Sequence, residues 1–197
     1  WSGCAVNDNG IPRIFYTGVF PQVVCTAIST DGLHTWEKYE HNPVIPGPPA
    51  EISTEPSPDF RDPYVWQDGD KWYMVIGTKY QDIGGAILLY SSDDLGHWTY
   101  EGPLLVGDKN KTTPLRSGAM GECPNFLQVG DHHVLIFSVA EEMESECADS
   151  VYFPEHLIYP VFYIGTFEHL KFSPITQGLV DYGGCFYAPL VMRDSTG

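Results

Sequence analysis

The sequence predicts an all-β chain built from repeated four-stranded units, the blades of a β-propeller. Three observations lead there. Apolar and aromatic residues come in short runs separated by turn-forming residues. No segment holds a 3.6-residue apolar period for three turns, as an amphipathic helix would. Two separate patterns recur at one common spacing, which is how a chain of stacked supersecondary units shows itself in sequence.

The strand signals are the runs 13–17, 23–29, 71–76, 86–90, 134–139 and 161–164, rich in β-branched and aromatic side chains that suit a pleated surface. They are bounded by Asp8-Asn9-Gly10, Asp31-Gly32, Asp68-Gly69-Asp70 and Val129-Gly130-Asp131, residues that tolerate the left-handed conformations of tight turns. The first recurring pattern is a polar or small pair followed by an apolar strand. It occurs at Trp1-Ser2-Gly3-Cys4-Ala5-Val6, Arg61-Asp62-Pro63-Tyr64-Val65-Trp66, Glu122-Cys123-Pro124-Asn125-Phe126-Leu127 and Phe186-Tyr187-Ala188-Pro189-Leu190-Val191. Its markers Ser2, Arg61, Glu122 and Tyr187 are 59, 61 and 65 residues apart. The second pattern, Ser29-Thr30-Asp31-Gly32-Leu33-His34-Thr35-Trp36, returns 62 residues later as Ser91-Ser92-Asp93-Asp94-Leu95-Gly96-His97-Trp98. A weaker third copy is Gly165-Thr166-Phe167-Glu168-His169-Leu170-Lys171-Phe172. The units are therefore 1–58, 59–119 and 120–183, with 184–197 opening a fourth through its first strand.

Composition excludes several functions. The 197 residues carry 26 acidic and 10 basic side chains, a net charge of −16 that repels phosphate backbones and anionic lipid surfaces. We expect no nucleic-acid or membrane partner; no apolar run approaches the roughly 20 residues that cross a bilayer as a helix. Aromatic content of 14% with 20 glycines and 16 prolines argues against disorder and against a helical bundle. The five cysteines are odd in number and lack a Cys-x-x-Cys pair, and the histidines are scattered apart from His132-His133. Neither a metal site nor a cofactor is expected.

Propeller geometry turns the repeat into a site. The first strand of each blade lines the axis, so Ser2, Arg61, Asp62, Glu122 and Tyr187 are expected to converge at one mouth of it. Two carboxylates, a guanidinium and aromatic rings suit a polyhydroxylated ligand, because carboxylates accept from sugar hydroxyls, the Arg fork donates and rings cover apolar sugar faces. A carboxylate pair is also what glycoside cleavage requires.

The motifs Phe60-Arg61-Asp62-Pro63 and Glu122-Cys123-Pro124, with Trp1-Ser2-Gly3 before them and Asp181-Tyr182-Gly183 and Phe186-Tyr187-Ala188-Pro189 after, resemble family 32 of the glycoside hydrolases along the whole chain. That family comprises invertases, inulinases, levanases and fructan exohydrolases. The resemblance implies a five-bladed β-propeller, of which this chain is a central portion of about three blades and the first strand of a fourth. It implies that Asp62 binds fructose hydroxyls and stabilises the transition state, and that Glu122 is the general acid/base, a role that needs a raised pKa. Arg61 would pair with the acids of the pocket, Cys123 would tune Glu122, and Trp1, Ser2 and Tyr187 would line the substrate site. The implied reaction is retaining cleavage of terminal β-fructofuranosyl residues from sucrose or fructans. Its nucleophile would be an Asp in an Asn-Asp-Pro-Asn-Gly motif preceding Trp1. Asn7-Asp8-Asn9-Gly10 echoes that motif but reads as a hairpin turn. The chain alone is expected to be inactive, and the protein to be secreted or extracellular, although intracellular members exist.

A fructosyltransferase of the same family and a propeller that only binds carbohydrate are the alternatives. Cys4 and Cys185 stand where the family usually has Ser and Asp; the second swap removes a polar group near the pocket rim and leaves finer substrate choice open. Trp36, Trp66, Trp72 and Trp98 are expected to pack within blades. The stretch 141–146 is expected to be a solvated loop over the axial mouth, and the proline-rich 43–58 an inter-blade connection. Asn110-Lys111-Thr112 matches a glycosylation sequon, meaningful only in a secreted protein.

Overall fold

A computed structural model of the chain describes residues 1–52, 58–80, 82–110, 118–142, 156–183 and 186–192, and these contain no helix. Their twelve strands form three four-stranded sheets, each joining consecutive strands antiparallel. The first holds β1 (Gly3–Asp8), β2 (Ile11–Gly18), β3 (Val23–Ile28) and the short β4 (Glu37–Lys38). The second holds β5 (Phe60–Asp68), β6 (Lys71–Tyr80), β7 (Gly84–Ser92) and β8 (Thr99–Val106). The third holds β9 (Met120–Val129), β10 (His132–Glu142), β11 (His156–Glu168) and β12 (Lys171–Leu179). The inner strands touch in sequence: β5 meets β1 on one side and β9 on the other. This is the arrangement of propeller blades around an axis.

Turn chemistry sets each hairpin. Asn9 and Gly10 both have positive φ, 51° and 92°, so Asn7-Asp8-Asn9-Gly10 is a two-residue hairpin turn whose twist matches its strands. The second repeated pattern is the link between third and fourth strands. Asp31 accepts from the backbone N–H of His34 at 3.1 Å and of Thr35 at 2.9 Å; Asp94 accepts from Gly96 at 2.9 Å and His97 at 2.8 Å. In both copies a leucine takes the left-handed conformation, Leu33 at φ 72° and Leu95 at φ 63°. Leu170 does the same at φ 63°, but that copy lacks the aspartate and closes as a tight hairpin between β11 and β12.

Two apolar clusters lie between the sheets. Phe15, Val24, Phe60, Met74, Ile76 and Leu88 join the first sheet to the second. Val75, Ile87, Leu89, Phe126, Leu135 and Val161 join the second to the third. Alternate residues of β6 and β7 thus enter different clusters, which is why these two strands are apolar on both faces while β2 alternates. Gly77 permits the close approach of blades, since a Cβ there would collide with the Gly121 carbonyl of β9. Trp72 is buried, Trp98 meets Phe15 edge-on at 5.8 Å and Trp66 stacks on Tyr73 at 5.5 Å, whereas Trp36 is exposed.

Residues 186–192, which open the fourth unit, run beside β9, held by Asn125, whose Nδ2 donates to the Pro189 carbonyl and whose Oδ1 accepts from Val191 N–H, both at 2.8 Å. The stretch 141–146 begins within β10 rather than wholly in a loop, and residues 143–146 lie outside the described residues. So do Cys147, Cys185, Lys111 and Thr112 of the sequon, and 53–57 of the proline-rich connection.

Candidate active site

The site is made by one backbone device used three times. Asp62, Cys123 and Ala188 each precede a proline, and each has positive φ: 64°, 50° and 54°. A residue before proline is normally extended, and a non-glycine residue at positive φ stores strain of about 1–3 kcal/mol. In β5 and β9 the ladder register slips at this point, between Arg61 and Tyr64 and opposite Cys123-Pro124. Such bulges re-aim side chains at sheet ends. Arg61, Glu122 and Tyr187 immediately precede the three kinks, so all three reach the same space.

Hydrogen bonds from neighbouring blades fix each kink. Asp62 N–H donates to Thr17 Oγ1 at 3.0 Å and Ala188 N–H to Ser138 Oγ at 3.1 Å, while Cys123 N–H donates to Asp62 Oδ2 at 3.0 Å. Asp62 Oδ1 also accepts from Ser2 N–H at 3.1 Å, so this carboxylate, only 4% exposed, ties β5 to both adjacent sheets. Cys123 Sγ lies 3.4 Å from Asp62 Oδ2 and 3.3 Å from Ser2 Oγ. Its close side-chain partners are therefore Asp62 and Ser2. Burial, and next the charge of Asp62, push the Cys123 thiol up to about 12, so it stays protonated at neutral pH.

Glu122 is 7% exposed. Its Oε1 accepts from Arg61 Nε at 3.1 Å and Nη2 at 2.5 Å, and its Oε2 accepts from the Tyr187 hydroxyl at 2.9 Å. Burial and then the Glu122 charge raise the Tyr187 pKa, so Tyr187 remains the donor. Burial opposes the charge on Arg61, but hydrogen bonds and charges from Glu122 and Asp59 outweigh it and raise its pKa. The Arg61 guanidinium carbon is 5.4 Å from the centre of the Trp1 ring, a cation–π contact at the rim, where Trp1 is 71% exposed.

All seven residues named from sequence, Trp1, Ser2, Arg61, Asp62, Glu122, Cys123 and Tyr187, line one cleft of about 390 Å³. Two more line it that the sequence did not single out, Gln22 and Asp59. Asp59 adjoins the Arg-Asp-Pro motif, but no repeat marks it. Gln22 sits in the β2–β3 turn, where nothing in the local pattern signals a pocket. Asp8, by contrast, is at the other end of β1 from Ser2 and is bound by Arg13 Nη2 at 2.8 Å, away from the cleft. The arrangement offers a buried, donor-loaded carboxylate beside a second carboxylate, with the rings of Trp1 and Tyr187 in the lining, chemistry that suits a polyhydroxylated ligand.

The Glycosyl hydrolases family 32 N-terminal domain matches residues 1–197. The chain belongs to glycosyl hydrolase family 32, and its three sheets are blades of that β-propeller. Sucrose-6-phosphate hydrolase of Zymomonas mobilis is 32% identical over 207 residues, covering 95% of this chain and 37% of its own length. The Escherichia coli protein of the same name is 38% identical over 149 residues, 70% of this chain and 28% of its own length. Among solved structures, a Bombyx mori GH32 β-fructofuranosidase superposes on 99% of this chain and 40% of its own, with TM-score 0.78 and 28% identity. A Schwanniomyces occidentalis fructofuranosidase complexed with fructose covers 95% of this chain and 36% of its own, with TM-score 0.70 and 25% identity. The chain thus spans between 28% and 40% of the length of these relatives.

Proposed function

We propose that the full-length protein releases terminal β-fructofuranosyl residues from sucrose or related fructosides by a retaining mechanism. The observation that carries this reading is the pairing of Glu122 and Asp62 in one cleft, on successive blades, each buried and each held by groups from a neighbouring blade. Relatives named as sucrose-6-phosphate hydrolases and β-fructofuranosidases, and one of the latter solved with sucrose, support a fructoside as substrate.

In this reading a carboxylate nucleophile, an Asp preceding Trp1 in the full-length protein, attacks the anomeric carbon of the fructosyl unit. The glycosidic C–O bond breaks, and Glu122 gives its proton to the leaving oxygen. Water then attacks the fructosyl-enzyme while Glu122 takes back a proton. Asp62 accepts hydrogen bonds from fructose hydroxyls, bonds that strengthen as positive charge develops on the ring. Arg61 holds Glu122 in place from one side and Tyr187 from the other.

Product analysis of the full-length protein on sucrose tests the reading. Equimolar glucose and fructose are expected, with the fructose released initially as the β-anomer. The Asp62→Asn variant is expected to lose about 10²–10³-fold in kcat/KM. Failure to split sucrose or any β-fructoside, or a folded Asp62→Asn variant with normal turnover, would contradict it.

A further inference from the structure

Arg61 does not serve Glu122 alone. Its Nη1 donates to Asp59 Oδ1 at 2.5 Å, on the side opposite the fork that holds Glu122. Asp59 is fixed in turn. Lys79 Nζ is 3.6 Å from its Oδ2, and Gln22 Nε2 is 3.5 Å from its Oδ1. Gln22 Oε1 accepts from Phe60 N–H at 2.8 Å and from Arg61 Nη1 at 3.3 Å, so a side chain of the first blade braces the whole cluster. The Asp59 carbonyl accepts from Thr78 Oγ1 at 2.6 Å, which pins its backbone to β6. Burial works against the Asp59 charge, but the Arg61 hydrogen bond and the charges of Arg61 and Lys79 prevail and lower its pKa.

We propose that Asp59 is a positioning residue that shares the Arg61 guanidinium with Glu122 and thereby sets the pH range over which Glu122 can hold the proton it must donate. The proposal rests on the reading of Glu122 as acid/base. The physical argument is a division of charge. The Asp59 carboxylate repels the Glu122 carboxylate across the guanidinium they share, a cost set against the attraction of Arg61. Asp59 therefore offsets part of the pull that Arg61 exerts on the ionised form of Glu122. The remaining groups about Glu122 are Asp62, which lines the same cleft, the thiol of Cys123 next in the chain, the protonated Tyr187 hydroxyl on Oε2, and uncharged Ser138, its register partner on β10. Gln22 keeps Arg61 and Asp59 in register without adding charge.

The test is the pH profile of kcat/KM for sucrose in the full-length protein, wild type against Asp59→Asn, Asp59→Glu and Gln22→Ala. Asn keeps an acceptor for Arg61 Nη1 but removes the charge. Glu122 should then ionise more readily, and the basic limb of the profile should move to lower pH by about half a unit or more, the size expected for one charge removed across a partly desolvated guanidinium. Asp59→Glu should leave the limb within a few tenths of a unit of wild type, because the charge is retained. Gln22→Ala should lower kcat with a smaller limb shift.

A folded Asp59→Asn enzyme whose profile overlays that of wild type overturns the proposal. So does one inactive at every pH from 4 to 8, because charge sharing predicts turnover on the acid side. A limb that shifts equally in Asp59→Glu overturns it too, by pointing to shape rather than charge. The underlying reading fails separately: a wild-type enzyme that splits no fructoside, or a Glu122→Gln variant with normal turnover, removes the acid/base before Asp59 is at issue.

Discussion

Glu122 meets a donor at each oxygen, the Arg61 fork on one and the Tyr187 hydroxyl on the other. A side chain so held is oriented before substrate arrives, which is what a proton donor in a confined cleft needs. Tyr187 contributes one hydrogen bond to a charged group, so Tyr187→Phe is expected to lower kcat/KM about three- to tenfold while leaving the thermal midpoint within a few degrees; steady-state kinetics on sucrose checks this. Asp62 shows how far such residues were legible in the sequence. Arg61-Asp62-Pro63 and Glu122-Cys123-Pro124 stood out because each pairs a charged residue with a proline at blade spacing. The reason, a left-handed residue held ahead of each proline, lies in backbone angles that no sequence pattern displays. Gln22 was illegible because its contacts lie 37 to 39 residues away on another blade, and Asp59 because its tie to Glu122 runs through Arg61, which reaches 61 residues along the chain.

At the scale of elements, the first three strands of each blade carried the clearer signals, and β4, β8 and β12 went unannounced. β8 contains Gly102 and Pro103, and β12 contains Pro174 and Gly178, residues that weaken any strand signal and are tolerated at a blade's outer edge. The repeated Ser-x-Asp turns were visible, and their physics can be tested. Asp31 is held down to about 2, from 3.8, mainly by its hydrogen bonds from Thr35. A folded-state pKa below the unfolded one stabilises the fold above pH 3.8, and that contribution fades as pH falls from 3.8 toward 2. Asp31→Asn is therefore expected to melt below wild type at pH 7, with the gap narrowing as the pH of the scan drops below 3.8; a gap constant with pH would contradict this. The middle blade supplies a packing test. Leu88 is fully buried between the first two sheets, and Leu88→Ala is expected to destabilise the protein by about 2–5 kcal/mol in urea unfolding.

For the molecule as a whole, the site exists only because blades meet. Asp62 is tied to Ser2 and Thr17 of one sheet and to Cys123 of another, and Arg61 crosses from the second sheet to Glu122 of the third. The apolar clusters on both faces of the middle blade hold these partners to within hydrogen-bond distance. Division into repeats was legible because the blades share one strand pattern and the first two share the Ser-x-Asp turn, while the chemistry differs at equivalent positions: Arg61, Glu122 and Tyr187. The central claim is that Glu122 is the proton donor and acceptor for fructoside cleavage. Its most direct test is the kcat and KM of Glu122→Gln in the full-length protein acting on sucrose. The account predicts a fall in kcat of about 10²–10⁴-fold with KM changed by less than roughly tenfold. A folded Glu122→Gln protein that turns sucrose over at a rate near wild type would contradict it.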